Sequence, residues 1–142
     1  MSIVCLISLL LAGQTPVEPK KYTPPPNWQR AVEINPEPIK CDDKGVEIVT
    51  IRMKINKDHF VYATPQPDET FRPTEVRLLA KSKDPNTRVE VTYPKGREIS
   101  DGPFRWSKYE GDIAIVAIVH RAKGDDSPLE CTLRFHPMHK YV

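Results

Sequence analysis

The stretch Val46–Asn56, VEIVTIRMKIN, has the clearest pattern in this chain and decides the class of fold. From Val49 onwards its apolar residues occupy every second position, and Thr, Arg and Lys occupy the positions between them. A period of two is the repeat of a β-strand, in which successive side chains point to opposite faces. The stretch therefore predicts a strand with one face in a core and the other in water.

Several other short segments favour strands in the same way, and they are bounded by turn residues. They are Ala31–Pro36, Phe60–Ala63, Glu75–Ala80, Thr87–Tyr93, Asp112–His120 and Pro128–Phe135. Asp112–His120 is aliphatic on both faces, which predicts a central strand covered on each side. Ile99–Tyr109 is aromatic but without regular alternation, and we expect it to be irregular. Since no segment has a sustained helical period, we predict an all-β, immunoglobulin-like antiparallel β-sandwich.

The composition limits the classes of partner. The 142 residues include 21 Lys and Arg against 19 Asp and Glu, a formal net charge of +2, and the basic residues are dispersed among acids. This balance does not favour a nucleic acid or an anionic membrane surface as partner. The chain has 15 prolines but only 6 glycines. Proline between short strands suits an all-β fold because it ends strands and blunts sheet edges.

The chain divides into three parts by composition. Residues 1–14 carry no charge and contain the apolar run Ile3–Ala12, which is typical of a secretory signal and too short to cross a bilayer as a helix. No Lys or Arg precedes this run, so a buried N-terminal strand or helix is the alternative. Residues 15–27, TPVEPKKYTPPPN, are expected to form a proline-rich linker, and residues 28–142 the β-sandwich. This division predicts a periplasmic or otherwise extracytoplasmic protein whose mature chain does not insert into a membrane.

Four segments resemble one known family. Asp58–Pro65 (DHFVYATP) is similar to the G-W-H-I-Y-A-N-P stretch in the N-terminal domain of the thiol:disulfide interchange protein DsbD, and Phe71–Thr74 to the x-x-P-T that follows it. Val91–Gly96 (VTYPKG) resembles the family's V-x-Y-P-x-G, and Tyr109–Gly111 its Y-E-G. The resemblance covers roughly residues 30–136. It implies an immunoglobulin-like domain outside the cytoplasm, and another exported or membrane redox protein as its partner.

The chain departs from this family at the reactive site. The relatives continue after the last core strand with a C-x-x-x-x-C segment, whereas this chain has HPMHKY at the corresponding place, His136–Tyr141. Disulfide exchange requires one thiolate to attack and a second sulfur to resolve the mixed disulfide. We therefore expect a redox-inactive binding or accessory module. A shortened chain that has lost a cysteine-bearing end would explain the same departure.

Two cysteines remain outside the expected signal. Cys131 lies between Leu129 and Leu133 on the apolar face of its predicted strand, which favours a buried and inert thiol. Cys41 lies in a polar turn and is expected to be exposed. The alternative hypothesis to a binding module is a protein that exchanges disulfides through Cys41 and Cys131. If these two cysteines form a bond with each other, a structural disulfide is more consistent with their positions than a catalytic one.

The C-terminal tail suggests a third function. His136, Met138 and His139 combine two imidazoles with a thioether, a set that suits Cu(I). Against this, H-x-x-H without a defined backbone is a weak pattern, and an untied polar terminus explains the same residues. We therefore predict no cofactor and keep a copper site as the alternative with the least support.

The aromatic residues Tyr62, Phe104, Trp106 and Tyr109 form the last candidate site. In the family that the chain resembles, an aromatic loop shields the reactive sulfurs, so these residues are predicted to cap that end of the domain or to dock a partner. Core packing is the alternative. The chain has no nucleophile elbow, phosphate-binding glycine loop or nucleotide fingerprint, and we do not expect an enzyme.

Overall fold

The computed structural model describes residues 3–9, 31–82 and 84–140. The predicted linker, residues 15–27, lies outside these ranges, as does Trp28. The strands are β1 (Ile3–Leu9), β2 (Val32–Pro36), β3 (Lys40–Cys41), β4 (Glu47–Ile55), β5 (His59–Tyr62), β6 (Glu75–Ala80), β7 (Arg88–Thr92), β8 (Arg97–Asp101), β9 (Phe104–Tyr109), β10 (Asp112–His120), β11 (Leu129–Phe135) and β12 (Pro137–His139). The described residues contain no helix, and accordingly none that could span a membrane.

The strands form three antiparallel sheets. The first has the order β2-β4-β10-β7, with β3 continuing beside β4, and the second has the order β1-β11-β6. These two sheets share one hydrophobic core, to which β4 contributes Val49, Ile51 and Met53, and β11 contributes Leu129, Cys131, Leu133 and Phe135, all at most 1% exposed. The all-β prediction is confirmed, and the arrangement is consistent with a β-sandwich.

Strand positions follow the sequence patterns closely. Strands β6 and β10 have the predicted bounds, and β4 lies within the predicted Val46–Asn56. Strand β10 is central, between β4 and β7. However, Ile115, Ala117 and Val119 are buried, whereas the residues alternating with them are only half-buried. Strand β10 is thus central as predicted, but only one of its faces is buried and the other is half-buried.

The third sheet, with the order β12-β5-β9-β8, contains two corrections to the sequence analysis. The segment 99–109, expected to be irregular, belongs to the hairpin of β8 and β9, which turns at Gly102 with a φ of +58°. The tail after Phe135, interpreted as an untied terminus, forms β12 and pairs with β5. The hydrogen bond from Lys140 N to Asp58 O, 2.9 Å long, continues this pairing beyond β12.

Strand β1 lies in the segment predicted to be a secretory signal. Its seven residues pair with the whole of β11, from Ile3 opposite Phe135 to Leu9 opposite Leu129. The other side of β11 pairs with β6. Among the described residues, this segment is therefore the edge strand of its sheet, whereas the alternative named from the sequence was a buried strand or helix. Export stays a prediction from the sequence.

A buried ion pair joins β4 to the residue that follows β10. The Arg121 side chain is fully buried, and its Nε and Nη2 donate to the Glu47 carboxylate over 2.7 and 3.1 Å, while Nη1 donates to Ser127 O over 2.6 Å. Burial raises the pKa of Glu47, and the hydrogen bond and charge of Arg121 oppose that rise without cancelling it. For the Glu47 carboxylate, the unfavourable free energy of losing hydration is therefore larger than the favourable free energy of its interaction with Arg121.

Candidate functional site

The outer face of the third sheet carries a cluster of aromatic rings. Alternation along β5 places Phe60 and Tyr62 on this face, and alternation along β9 places Trp106 there. Phe71 joins them from the loop between β5 and β6. We call these four residues the aromatic face. Each of them keeps part of its surface exposed.

The four rings contact one another directly. Trp106 lies at the centre, with ring centroids 5.1 Å from Phe60, 5.8 Å from Tyr62 and 6.2 Å from Phe71. Tyr62 and Phe71 are 5.3 Å apart and tilted by 41°. Aromatic pairs at such separations contribute about 0.5–1.5 kcal/mol each beyond the area they bury. The cluster is therefore a fixed surface rather than a set of independent side chains.

The loop that supplies Phe71 is held at both ends. At its start, Thr64 Oγ1 donates to Thr74 O, and at its end, Thr74 Oγ1 donates to Tyr62 O over 2.7 Å. In between, Asp68 closes a turn by accepting from the backbone and hydroxyl of Thr70 over 2.8 and 2.7 Å, contacts that lower the pKa of Asp68. These bonds fix the position of the ring with respect to β5.

Cations border the aromatic face. Lys108 Nζ lies 5.3 Å from the Phe60 ring centroid and 5.9 Å from that of Trp106, within the range of cation–π attraction. Arg97 is directly opposite Lys108 across β8 and β9, so both residues belong to the same face. Like charges at opposed positions repel unless an anion lies nearby. Here Glu110 contacts Lys108, and the hydrogen bond from Lys108 lowers the pKa of Glu110.

The cations also line a shallow cleft of about 190 Å³. Its lining residues are Lys95, Arg97, Lys108, Tyr109, Glu110 and Ile113. Three cations and one carboxylate leave this region with a positive charge. The combined surface of rings and cations is suited to an anionic ligand that also offers apolar or planar groups.

Three of the four predicted aromatic residues belong to this side of the sheet. Tyr62 and Trp106 are part of the aromatic face, and Phe104 lies two residues from Trp106, near the hairpin tip, where it is 53% exposed. Tyr109 is different, since it is only 2% exposed and lies in the core. For Tyr109, core packing is therefore the interpretation that the structure supports.

Tyr109 instead joins the segments on which the family resemblance was based. Its hydroxyl accepts from Thr64 N over 3.2 Å and donates to Pro94 O over 2.7 Å, and burial raises its pKa. At Gly96, a Cβ atom would overlap Ala63 Cβ and Ser107 Oγ. These residues have packing and hydrogen-bonding roles that require no catalysis.

The two cysteines lie in different sheets. Cys41 is exposed in β3, where it pairs with Glu47 in the first sheet. Cys131 is 0% exposed in the middle of β11, in the second sheet. Neither takes part in a disulfide in the part of the chain that the structure describes. A buried thiol in one sheet and an exposed thiol in another do not form the adjacent pair that exchange requires.

The histidines and methionine of the tail do not form one cluster. Because β12 is extended, Met138 and His139 point to opposite faces. Met138 is opposite Phe60 and so lies beside the aromatic face, whereas His139 is opposite His59. His136 precedes β12, and burial lowers its pKa. Across the described ranges, no group of three or more His, Cys, Asp or Glu residues is arranged to hold a metal ion.

Sequence reasoning missed Phe60, Phe71 and His59 as site residues. Phe60 and Phe71 belong to motifs that were already noted, but only the pairing of β5 with β9 and the loop hydrogen bonds bring them to Trp106. His59 is opposite His139 across β5 and β12, a pairing that is not visible in the sequence. Comparison with protein families, curated proteins and solved structures returned no match to this chain.

Proposed function

We propose that this protein is an exported, immunoglobulin-like binding module that resembles the DsbD N-terminal domain and does not exchange thiols. The observation that carries the proposal is the aromatic face, a rigid, partly exposed group of four rings bordered by Lys108 and Arg97. Aromatic side chains with neighbouring cations are the residues that most often anchor a protein partner.

The partner that fits this surface is another exported protein with an acidic segment containing an aromatic or apolar residue. The ring cluster offers an apolar contact, and the surplus of Lys95, Arg97 and Lys108 over Glu110 favours negative charge. The family resemblance suggests that the partner is an exported or membrane redox protein. Aromatic rings with cations also stack nucleic acid bases, but the even overall charge of +2 disfavours that class.

The positions of the cysteines support the absence of thiol exchange. Cys131 is enclosed by the core and Cys41 lies in a different sheet. Burial in apolar surroundings disfavours the thiolate, which is the nucleophile in exchange. A catalytic cycle would require the sandwich to open.

A labelled peptide tests the proposal. We expect a short Asp- and Glu-rich peptide with a central Phe to bind the full chain, with fluorescence anisotropy as readout, and to bind more weakly as salt is raised. Trp106→Ala should weaken binding by about thirty-fold, the loss of about 2 kcal/mol expected for an anchoring ring. Lys108→Gln should weaken it and reduce the salt dependence.

Matched controls use residues of the same kind away from the surface. Leu79, which is 63% exposed on β6, and Lys44, which is exposed in a turn, provide the variants Leu79→Ala and Lys44→Gln. Both should bind the peptide as the wild type does. Equal affinity of Trp106→Ala and wild type would refute the proposal. Tight binding of a labelled single-stranded oligonucleotide but not of the peptide would replace the protein partner with a nucleic acid.

A further inference from the structure

The pairing of β12 with β5 brings two histidines together. His139 and His59 are directly opposite in the register, and their ring centroids are 4.9 Å apart with an interplanar angle of 77°. Opposed residues of an antiparallel pair project to the same side of the sheet. The two imidazoles, 80 residues apart in sequence, therefore share one side of the sheet at its edge.

His59 has a nitrogen whose bonding capacity is unused. Its Nδ1 is shielded from solvent and has no hydrogen-bond partner among the described residues. A buried polar atom in this condition costs free energy, and a native structure commonly satisfies it with a water or an ion. Burial and the neighbouring His139 both lower the pKa of His59, while Asp58 raises it.

We propose that His59 and His139 together bind a divalent transition-metal ion, with Cu²⁺ bound most tightly. Two imidazoles on adjacent strands form the core of such a site, and water fills the remaining coordination positions. Imidazole suits copper, nickel and zinc, and the usual affinity order of divalent ions places Cu²⁺ above Ni²⁺ and Zn²⁺. The site shares only His139 with the set predicted from sequence, because Met138 lies on the other face and His136 precedes the strand.

Bound metal would attach the tail strand to the sheet. Strand β12 is three residues long, with the Lys140 N to Asp58 O bond beyond it. A ligand that binds only when β12 is paired stabilises the paired state, by an amount that grows with the logarithm of the ligand concentration once this exceeds Kd. Since Met138 reaches the aromatic face from the same strand, metal binding would also fix that side chain beside Phe60. The metal site does not depend on the proposed binding function.

The experiment is a calorimetric titration of the tag-free chain with CuCl₂ or ZnCl₂ at pH 7. It uses a background in which Cys5 and Cys41 are replaced by Ser, so that neither of these thiols competes for the metal. We expect one Cu²⁺ per chain, and an electron paramagnetic resonance spectrum with coupling to two nitrogens. His59→Ala and His139→Ala should each weaken Cu²⁺ binding at least about ten-fold, and Zn²⁺ should bind more weakly than Cu²⁺.

His136→Ala and His120→Ala are the matched controls, since these histidines lie outside the pair, and both should bind Cu²⁺ within about two-fold of the background chain. Equal binding by His59→Ala and the background chain overturns the proposal, and so does an equal loss in His136→Ala. The conservative variant His139→Gln keeps the tail polar and separates ligation from folding. If its metal-free thermal midpoint is unchanged and its Cu²⁺ affinity is also unchanged, the pair is not the site.

Discussion

The buried pair of Arg121 and Glu47 gives the sharpest test of the structure. Replacing Arg121 with Met keeps most of the volume but removes the charge and three hydrogen bonds. The Glu47 carboxylate, 7% exposed, then has no cation beside it. Breaking a buried pair in this way commonly costs 3–5 kcal/mol.

The destabilisation caused by Arg121→Met is limited by protonation of Glu47. A carboxylate that becomes too unfavourable takes up a proton, and for a group with an ordinary pKa of 4.5 this costs about 3.4 kcal/mol at pH 7, at about 1.36 kcal/mol per pH unit. Because the pKa of Glu47 is already raised in the folded protein, part of this penalty is present in the wild type. We expect a loss of about 2 kcal/mol from the charge, and about 1 kcal/mol from Ser127 O losing its partner.

The sign of the pH dependence follows from the same argument. A carboxyl group whose pKa is raised in the folded protein contributes its full stabilisation at a pH below its unfolded-state pKa of 4.5. This stabilisation is lost as the pH rises through the folded-state pKa. In Arg121→Met the folded-state pKa of Glu47 rises further, so the variant should be destabilised by about 3 kcal/mol at pH 7 but only about 1 kcal/mol at pH 5. Glu47→Gln should differ, because the buried guanidinium cannot lose its proton and its penalty should remain at pH 5.

Urea unfolding at both pH values, followed by circular dichroism, measures these differences. The double variant Glu47→Leu/Arg121→Met should come within about 1 kcal/mol of the wild type. Arg134→Met is the control, because Arg134 is 43% exposed and its ion pair with Glu75 should contribute less than about 1 kcal/mol. An equal loss in Arg121→Met at pH 5 and pH 7, or a loss below about 1 kcal/mol at pH 7, would contradict the buried-pair reasoning.

Three further predictions follow from the structure. In a Cys5→Ser background, one thiol, Cys41, should react rapidly with Ellman's reagent, and Cys131 only in denaturant; two rapid thiols would place Cys131 outside the core. Asp125, whose pKa is lowered to about 2, mainly by its hydrogen bond with Ser127, should contribute stability above pH 3.8 that is lost as the pH falls towards 2. Acid unfolding of Asp125→Asn should therefore lack that part of the pH dependence, and an unchanged profile would refute it. Removal of residues 1–14 should speed hydrogen exchange in β11, because its pairing with β1 is lost, and unchanged exchange would show that β1 does not pair there.

Local patterns predicted the positions of the core strands. Glu75–Ala80 and Asp112–His120 were bounded correctly because a strand that buries one face must place apolar residues at every second position. The hairpin of β8 and β9 was missed for the same physical reason. Strand β8 buries little, with only Ile99 half-buried, so no alternation marks it. Strand β12 begins at Pro137 and is too short to show a period.

The candidate sites could be predicted only in part. The sequence identified Tyr62, Phe104 and Trp106 as aromatic residues of one end of the domain, but it could not separate them from Tyr109, which belongs to the core. It grouped His136, Met138 and His139 by adjacency, whereas an extended strand directs neighbouring residues to opposite faces.

By itself, the sequence determined the all-β class, the core positions of β4, β10 and β11, and the absence of a C-x-x-x-x-C pair at residues 136–141, because these depend on residue identity and local period. Tertiary structure alone decided which strands became neighbours. Outside hairpins such as β8 and β9, strand pairing is set by contacts between residues far apart in the chain, which local turns do not encode. This pairing placed Phe71 against Trp106 and His59 opposite His139.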